Sequence, residues 1–187
     1  MAQGALNADQ VRVAGTGHLY VGATALTAPT TLADLDSAWT ELGYTFEDGV
    51  TLEIERDVAS VMSWQSKRPV RKFNASAMER ITTELQQWNE HNLVLAFGGG
   101  TVTEPSPGLY RYDFPDPEEF DERTLVLDWE DDGYNYRLVI PKGSVTDTTE
   151  VQLTRTAEAR LPITFEVVDE APYILTDDPN FEAGEGS

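Results

Sequence analysis

The strongest constraint on the fold is a two-residue alternation of side chains beyond the middle of the chain. Two runs show it, and their regularly spaced apolar members are Leu125, Leu127 and Trp129, followed by Tyr134, Tyr136, Leu138 and Ile140. Alternation with period two is typical of half-buried β-strands. Residues 131–133 separate the runs, and Gly133 can adopt a positive φ without a Cβ clash. The pattern therefore predicts an antiparallel β-hairpin.

Other short runs predict further strands, and one segment predicts a helix. The additional strand candidates are His18 to Val21, Ala38 to Thr45, Arg68 to Ala77, Leu93 to Phe97, Leu109 to Phe114, Glu150 to Thr154 and Pro162 to Val168. Leu85, Trp88 and Asn89 fall at helical spacing. Thr82 or Thr83 can cap the first turn of that helix. The predicted fold class is therefore mainly β, with one short flanking α-helix.

The predicted hydrophobic core takes apolar residues from one face of each of these elements. Its members are Leu85, Trp88, Leu125, Leu127, Trp129, Leu138, Ile140, Leu153, Ile163 and Phe165. A chain of 187 residues corresponds to one domain, or to one domain with a small appendage, and is long enough to bury such a core.

Charge divides the chain into a basic stretch and acidic surroundings. The chain has 33 Asp and Glu residues against 13 Lys and Arg residues, which gives a formal net charge of -20. Six of the basic residues lie between positions 56 and 80: Arg56, Lys67, Arg68, Arg71, Lys72 and Arg80. The acidic excess argues against tight DNA binding. The separation of the two charges suits head-to-tail contact between copies of the chain.

The two ends differ in composition from the middle. Residues 1–15 contain few large apolar groups and are predicted to form an N-terminal arm, and residues 176–187 are predicted to form an acidic C-terminal tail. One β domain is predicted over residues 16–175. The first twenty residues lack a basic stretch followed by an apolar one, and apolar runs such as 93–97 are too short to cross a bilayer. We therefore expect a soluble, unprocessed protein with no membrane-spanning segment.

The residue types that carry chemistry in other proteins indicate no active site. The chain has no Cys, which excludes disulfides, thiolate nucleophiles and Cys-ligated metals. Residues 128–133 begin like an EF-hand calcium loop, but the twelfth position is Val139 instead of Glu. The acids at 116–121 are interpreted as a solvated loop, and no nucleophile signature surrounds His18 or His91. We therefore predict no catalytic residue, no metal and no cofactor.

Two other classes of function stay open on the residues alone. A carbohydrate-binding β-sandwich of a host-recognition apparatus would need exposed aromatic side chains in one plane. A hydrolase with paired carboxylates is also compatible with the composition, although 33 acids place many pairs close together by chance.

Trp64 lies inside the basic stretch, where an aromatic side chain is suited to anchor an interface.

Two sequence motifs carry a resemblance to a known family. The pattern W-x-x-L-G-Y-x-x-E-D-G-V occupies residues 39–50, and W-Q-x-x-x-P-V-R occupies residues 64–71. An F-G-G-G stretch at 97–100 and a closing R-L-P-I-T-F-E-V-V-D-E strand at 160–170 follow in the same order. Over roughly residues 15–175 the chain resembles the tail tube protein, or major tail subunit, of long-tailed bacteriophages, especially those infecting actinobacteria.

This resemblance implies a small β-sandwich or split β-barrel with a flanking helix, which assembles into hexameric rings. The rings stack into a tube through which genomic DNA passes without specific binding. The same architecture occurs in phage-derived injection machines, which remain an alternative. Other phage tail proteins are implied as partners, in the virion tail, with assembly in the host bacterial cytoplasm. No catalysis is implied.

The resemblance also implies a long loop or hairpin between early strands that reaches the neighbouring ring, which maps here to residues 46–72. The residues of this segment predicted to act in self-assembly are Arg56, Trp64, Lys67, Arg68, Arg71 and Lys72. The polar members of the predicted strand at 150–154 are candidates to face the channel: Glu150, Gln152 and Thr154. A basic channel wall would hold the DNA, because binding to the phosphates releases their counterions. An acidic wall releases none and would let the DNA slide.

Overall fold

A computed structural model of the chain describes residues 7–116, 118, 120–147 and 150–181. Within them the strands are β1 (Gly17–Ala23), β2 (Thr40–Glu41), β3 (Thr51–Ser63), β4 (Ser66–Leu85), β5 (Thr101–Ser106), β6 (Leu109–Asp113), β7 (Glu122–Asp131), β8 (Tyr134–Asp147), β9 (Leu161–Val167) and β10 (Tyr173–Thr176). One α-helix, α1 (Glu90–Ala96), follows β4, and short 3-10 turns cover Ala8–Gln10 and Pro179–Phe181. The mainly β class with one helix is confirmed.

Most strands belong to one antiparallel sheet, which divides along β8. Its order is β2-β1-β7-β8-β9-β4-β3, so that β2 and β3 lie at its edges. One side of β8 pairs with β7. The other side pairs with β10 over Tyr136–Val139 and with β9 over Gly143–Asp147, so two branches of the sheet share this one strand. β5 and β6 form a separate two-stranded sheet.

The hairpin predicted from the alternating runs is confirmed as β7 and β8. Asp131 pairs with Tyr134, which leaves a two-residue turn at Asp132 and Gly133. Both turn residues have positive φ, 52° and 81°, as the tight turns that match the twist of paired strands require. Of the acids that resemble the start of an EF-hand loop, Asp128 and Glu130 therefore lie on β7, and Asp132 lies in the turn.

The core lies between the sheet and α1, and it contains most of the residues predicted for it. Six of the ten are buried: Leu85, Leu125, Leu138, Ile140, Ile163 and Phe165. Leu127 and Trp129 are partly buried against this cluster. The prediction is wrong for Trp88 and Leu153, whose side chains are 46% and 74% exposed. Trp88 lies in the loop before α1, where its Nε1 donates to the Ala159 carbonyl at 2.9 Å.

The helix lies further along the chain than predicted. Residues 82–85 are the end of β4 and pair with β9, so the threonines expected to cap the helix belong to a strand. The cap is Asn89, whose side chain accepts a hydrogen bond from the Asn92 backbone N–H at 2.9 Å. The Asn92 side chain is buried and donates to the carbonyls of Leu42 and Gln87. These contacts fix α1 at Glu90–Ala96, where the sequence predicted a strand over 93–97.

Two other predicted strands are short or absent. Of residues 38–45 only Thr40–Glu41 forms a strand. Residues 150–160 are irregular, so the strand predicted at 150–154 is wrong. Of the helices in the described ranges, none has the length and apolar character needed to cross a membrane.

Candidate assembly surface

The segment predicted to be an assembly loop or hairpin is a long β-hairpin formed by β3 and β4. The two strands pair from Thr51 opposite Thr82 to Ser63 opposite Ser66, with a register shift at Asp57/Val58. Trp64 and Gln65 form the turn. From Leu52, which pairs with the buried Ile81, β3 advances about 40 Å to the turn at about 3.3 Å per residue.

The outer part of this hairpin extends beyond the core, and we call residues 56–76 the distal hairpin. None of its side chains is buried, whereas β4 alternates between buried and half-buried positions from Ile81 to Leu85. Its large apolar side chains are between 43% and 100% exposed: Val58, Val61, Met62, Trp64, Val70 and Phe73. Trp64, at the turn, is the one that is 100% exposed. A two-stranded ribbon with both faces in solvent is marginally stable by itself.

The distal hairpin also carries positive charge that forms no ion pair with a carboxylate among the described residues. Its five basic residues are Arg56, Lys67, Arg68, Arg71 and Lys72, and Asp57 is its one acid. Among the described residues, none of the five takes part in an ion pair, whereas seven of the other eight Lys and Arg residues do. With 33 acids in the chain, this shows that the hairpin points away from the acidic surface of its own copy.

All six residues predicted to act in self-assembly lie in the distal hairpin. Arg56 is on β3, Trp64 is in the turn, and the other four are on the first residues of β4.

The three lumen candidates, Glu150, Gln152 and Thr154, are exposed, but they lie on the irregular segment instead of a strand. They line a shallow cavity of about 370 Å³ together with side chains that include Glu84 and Arg160.

A groove at the base of the hairpin was not predicted, and we call it the basal groove. It has a volume of about 690 Å³ and lies between residues 43–50 and the strands β1 and β7. Its floor includes Leu127 and Trp129, and its rim carries the carboxylates of Glu41 and Glu47. Part of the rim lies in residues 39–50, which carry one of the two family motifs. That motif is the one feature of the sequence that marks this part of the groove. Nothing in the local sequence indicates that the segment stands apart from β7.

Two segments, around Arg12 and around Asp178, are attached to the β7–β8 hairpin by a group of polar side chains that we call the terminal clasp. The Tyr136 hydroxyl donates to Asp178 Oδ2 at 2.6 Å, and Arg12 Nε donates to the same oxygen at 3.0 Å. The Asp178 side chain is fully buried. Burial by itself raises the pKa of Asp178, but hydrogen bonds from Tyr136, Asn180 and Arg12 hold that pKa well below its usual range.

The groups that carry catalysis and metal binding in other proteins are not brought together in the described part of the chain. His18 Nδ1 lies 2.8 Å from Glu41 Oε1 on the protein surface, and His91 is exposed on α1. Within the described ranges no three His, Asp or Glu side chains form a group that could hold a metal ion. Glu119, one of the acids at 116–121, lies outside the described residues.

Comparison with known protein families finds a match over most of the chain. A family model described as a phage tail tube protein matches residues 4–177 of the 187. No curated protein sequence matches the chain. The family match includes β1 to β10, the distal hairpin and the basal groove.

Proposed function

Because the chain belongs to the phage tail tube protein family, we propose that it forms hexameric rings that stack into the channel for the viral genome. The family makes it a structural component of the virion tail. Within the proposal, the rings assemble in the host bacterial cytoplasm and then contact other tail proteins. The proposed role includes no catalytic step.

The observation that carries the proposal is the distal hairpin, whose side chains are not covered by any other part of the chain that the structure describes. Its exposed apolar side chains lose contact with water only if another molecule covers them, and burial of such surface is the main force for association. The long strand β3 also lies at an edge of the sheet. Exposed edges invite pairing with other chains, and closure into a ring covers them. A second copy of the same chain therefore supplies what the monomer lacks.

The proposed route for DNA is supported by the overall acidity of the chain. A net charge of -20 repels phosphates, so a wall built from this chain would not hold the genome in place. Glu150, Gln152 and Thr154 are proposed to face this channel, and their exposure supports the assignment.

Replacing these three residues with Lys should slow DNA ejection from assembled particles. The delay should be greatest at low salt, where the attraction is least screened.

Charge reversal in the distal hairpin tests the proposal. In Arg68→Glu/Arg71→Glu the fold should persist, because neither side chain contacts the core, while tube formation should be lost. Circular dichroism reports the fold, and negative-stain microscopy and sedimentation report the tubes. The matched control is Arg111→Glu/Arg155→Glu, which makes the same change in net charge outside the hairpin and should still form tubes.

One result would contradict the proposed function, and a second would contradict only the role assigned to the charge of the distal hairpin. If the wild-type chain stays monomeric at high concentration, it does not form a tube by itself. If the Arg68→Glu/Arg71→Glu variant forms normal tubes, the charge of the distal hairpin has no role in assembly.

A further inference from the structure

We propose that the basal groove of one copy receives the turn of the distal hairpin of a second copy. In this contact Trp64 lies on the apolar floor of the groove, and the cations beside it face the acidic rim. The inference rests on the proposed function, because it requires that the chain assembles with itself. It adds the identity of the surface that accepts the hairpin.

The floor of the basal groove is apolar surface that the monomer leaves uncovered. Leu127 and Trp129 continue the alternation that buries Leu125, and they pack on the edge of the core. Both nevertheless remain partly exposed, because the groove opens over them. Half-buried Val50 lines the same groove. A large, rigid aromatic side chain is the type of group that anchors protein interfaces in such pockets.

The rim of the groove and the turn of the hairpin have opposite charges. Glu47 is exposed and makes no ion pair with any residue in the described ranges, and within those ranges the one side chain that faces the Glu41 carboxylate at salt-bridge distance is His18. Lys67 and Arg68 lie near the turn, after Ser66, and also make no ion pair within the described part of the chain. Oppositely charged groups around an apolar contact favour one orientation of docking over others.

The turn of the hairpin cannot reach the groove of its own copy. Gly49 and Val50 line the groove and directly precede β3, while Trp64 lies at the opposite end of that strand. The separation is about 45 Å for a strand that rises about 3.3 Å per residue. The ladder of β3 and β4 holds this ribbon extended. The occupant of the groove is therefore another copy, in a heterologous contact that each added copy can repeat.

A competing acceptor is the acidic surface of β5 and β6, which exposes Tyr110. Its carboxylates already have partners in the same chain. Asp113 accepts a hydrogen bond from Arg111 Nε at 2.8 Å, and Glu104 accepts one from the Gly108 backbone N–H at 2.8 Å. The carboxylate of Glu47 is free of such contacts among the described residues, which favours the basal groove.

Disulfide trapping tests the inference cleanly, because the chain has no Cys of its own. Gln65→Cys places a thiol beside Trp64, and Tyr44→Cys places one on the exposed rim of the groove, where Tyr44 is 74% exposed. The two variants are purified separately, mixed, assembled and oxidised. One carries a size tag, so that the mixed dimer is distinguished from the two homodimers on a denaturing gel. The matched control replaces Tyr44→Cys with Tyr110→Cys, on the competing surface.

The expected result is a mixed dimer from Gln65→Cys with Tyr44→Cys, and none from Gln65→Cys with Tyr110→Cys. If assemblies form but the trapped pair includes Tyr110→Cys, or neither pair is trapped, the groove is not the acceptor although the proposed function stands. If the wild-type chain forms no assemblies under the same conditions, the proposed function fails and this inference fails with it.

A charge exchange gives an independent measurement that does not depend on disulfide geometry. Glu47→Lys should raise the protein concentration needed for assembly at least tenfold, because it places a cation opposite Lys67 and Arg68. Adding Lys67→Glu and Arg68→Glu to the same chain should restore assembly at least in part. Equal assembly by wild type and Glu47→Lys would show that the rim does not meet the hairpin.

Discussion

The sheet and the distal hairpin are built from the same kind of strand but differ in what covers their side chains. In the sheet, β9 alternates between fully buried and half-buried residues, and Phe165 is 0% exposed. In the distal hairpin no side chain is buried, and Phe73 is 46% exposed. Regular backbone pairing therefore does not show that a strand is stable by itself. In the proposed assembly the two regions depend on different chains, since the sheet is covered within its own copy and the hairpin would be covered by another.

The largest expected difference between the two regions is in amide hydrogen exchange of the monomer. Amides of β7 and β8 should exchange only by global unfolding. Amides of the distal hairpin should exchange through local opening of the hairpin, which costs little free energy. The hairpin should therefore exchange roughly a thousandfold faster. In assembled tubes its protection should approach that of the sheet. Equal protection of the hairpin in monomer and tube would remove the distinction between the two regions.

The same substitution should have very different effects on the free energy of unfolding in the two regions. Phe165→Ala removes a fully buried ring and should cost about 3–5 kcal/mol. Phe73→Ala, its match in the distal hairpin, should cost less than about 1 kcal/mol, as an ordinary surface substitution does. Urea denaturation of the two monomeric variants measures both values. Similar losses would mean that the hairpin packs on its own copy.

A pair of tryptophans sharpens the comparison, because one of them lies between the two extremes. Trp129 is half-buried and stacks on Tyr136, with ring centroids 5.2 Å apart. Trp129→Ala should cost about 2–3 kcal/mol, below the value for a fully buried ring. Trp64→Ala should leave the stability of the monomer unchanged, because Trp64 is 100% exposed. A loss at Trp64 equal to that at Trp129 in urea denaturation would contradict this.

The smallest expected effect is a pH dependence confined to the sheet, through the terminal clasp. The pKa of Asp178 is held below its unfolded value of about 3.9, so its ionised form stabilises the fold above that pH. This contribution is lost as the pH falls below about 4. Asp178→Asn should lower the denaturation midpoint at pH 7 and flatten its fall in acid. Asp57→Asn in the distal hairpin is the control and should retain the wild-type profile.

The sequence predicted those features that depend on local pattern and composition. The β7–β8 hairpin follows from alternation and from Gly133, and the basic stretch at 56–72 marks the hairpin that reaches away from the sheet. Short apolar runs are compatible with either helix or strand, and tertiary contacts decide between them. Residues 93–96 are helical because the Asn89 cap and the buried Asn92 fix α1 there.

The basal groove and the partial exposure of Trp129 depend on how distant segments pack. Residues 43–50 and β7 are far apart in sequence, and no spacing rule gives the volume left between them. The lumen candidates also depend on packing that the local sequence pattern does not give. Their two-residue pattern indicated a strand at 150–154, but Leu153 finds no core to pack against and the segment is irregular.

The placement of charge gives each subunit a large electric dipole. Five basic residues and one acid leave a charge of +4 on residues 56–76, and because the whole chain carries -20, the remainder carries -24. Such a dipole orients two subunits before they touch, so that the positive end of one approaches the negative surface of the other. Charge steering of this kind acts on the association rate and weakens as salt shortens the Debye length to about 8 Å. In the proposed assembly, ionic strength should therefore influence how fast subunits meet in a productive orientation.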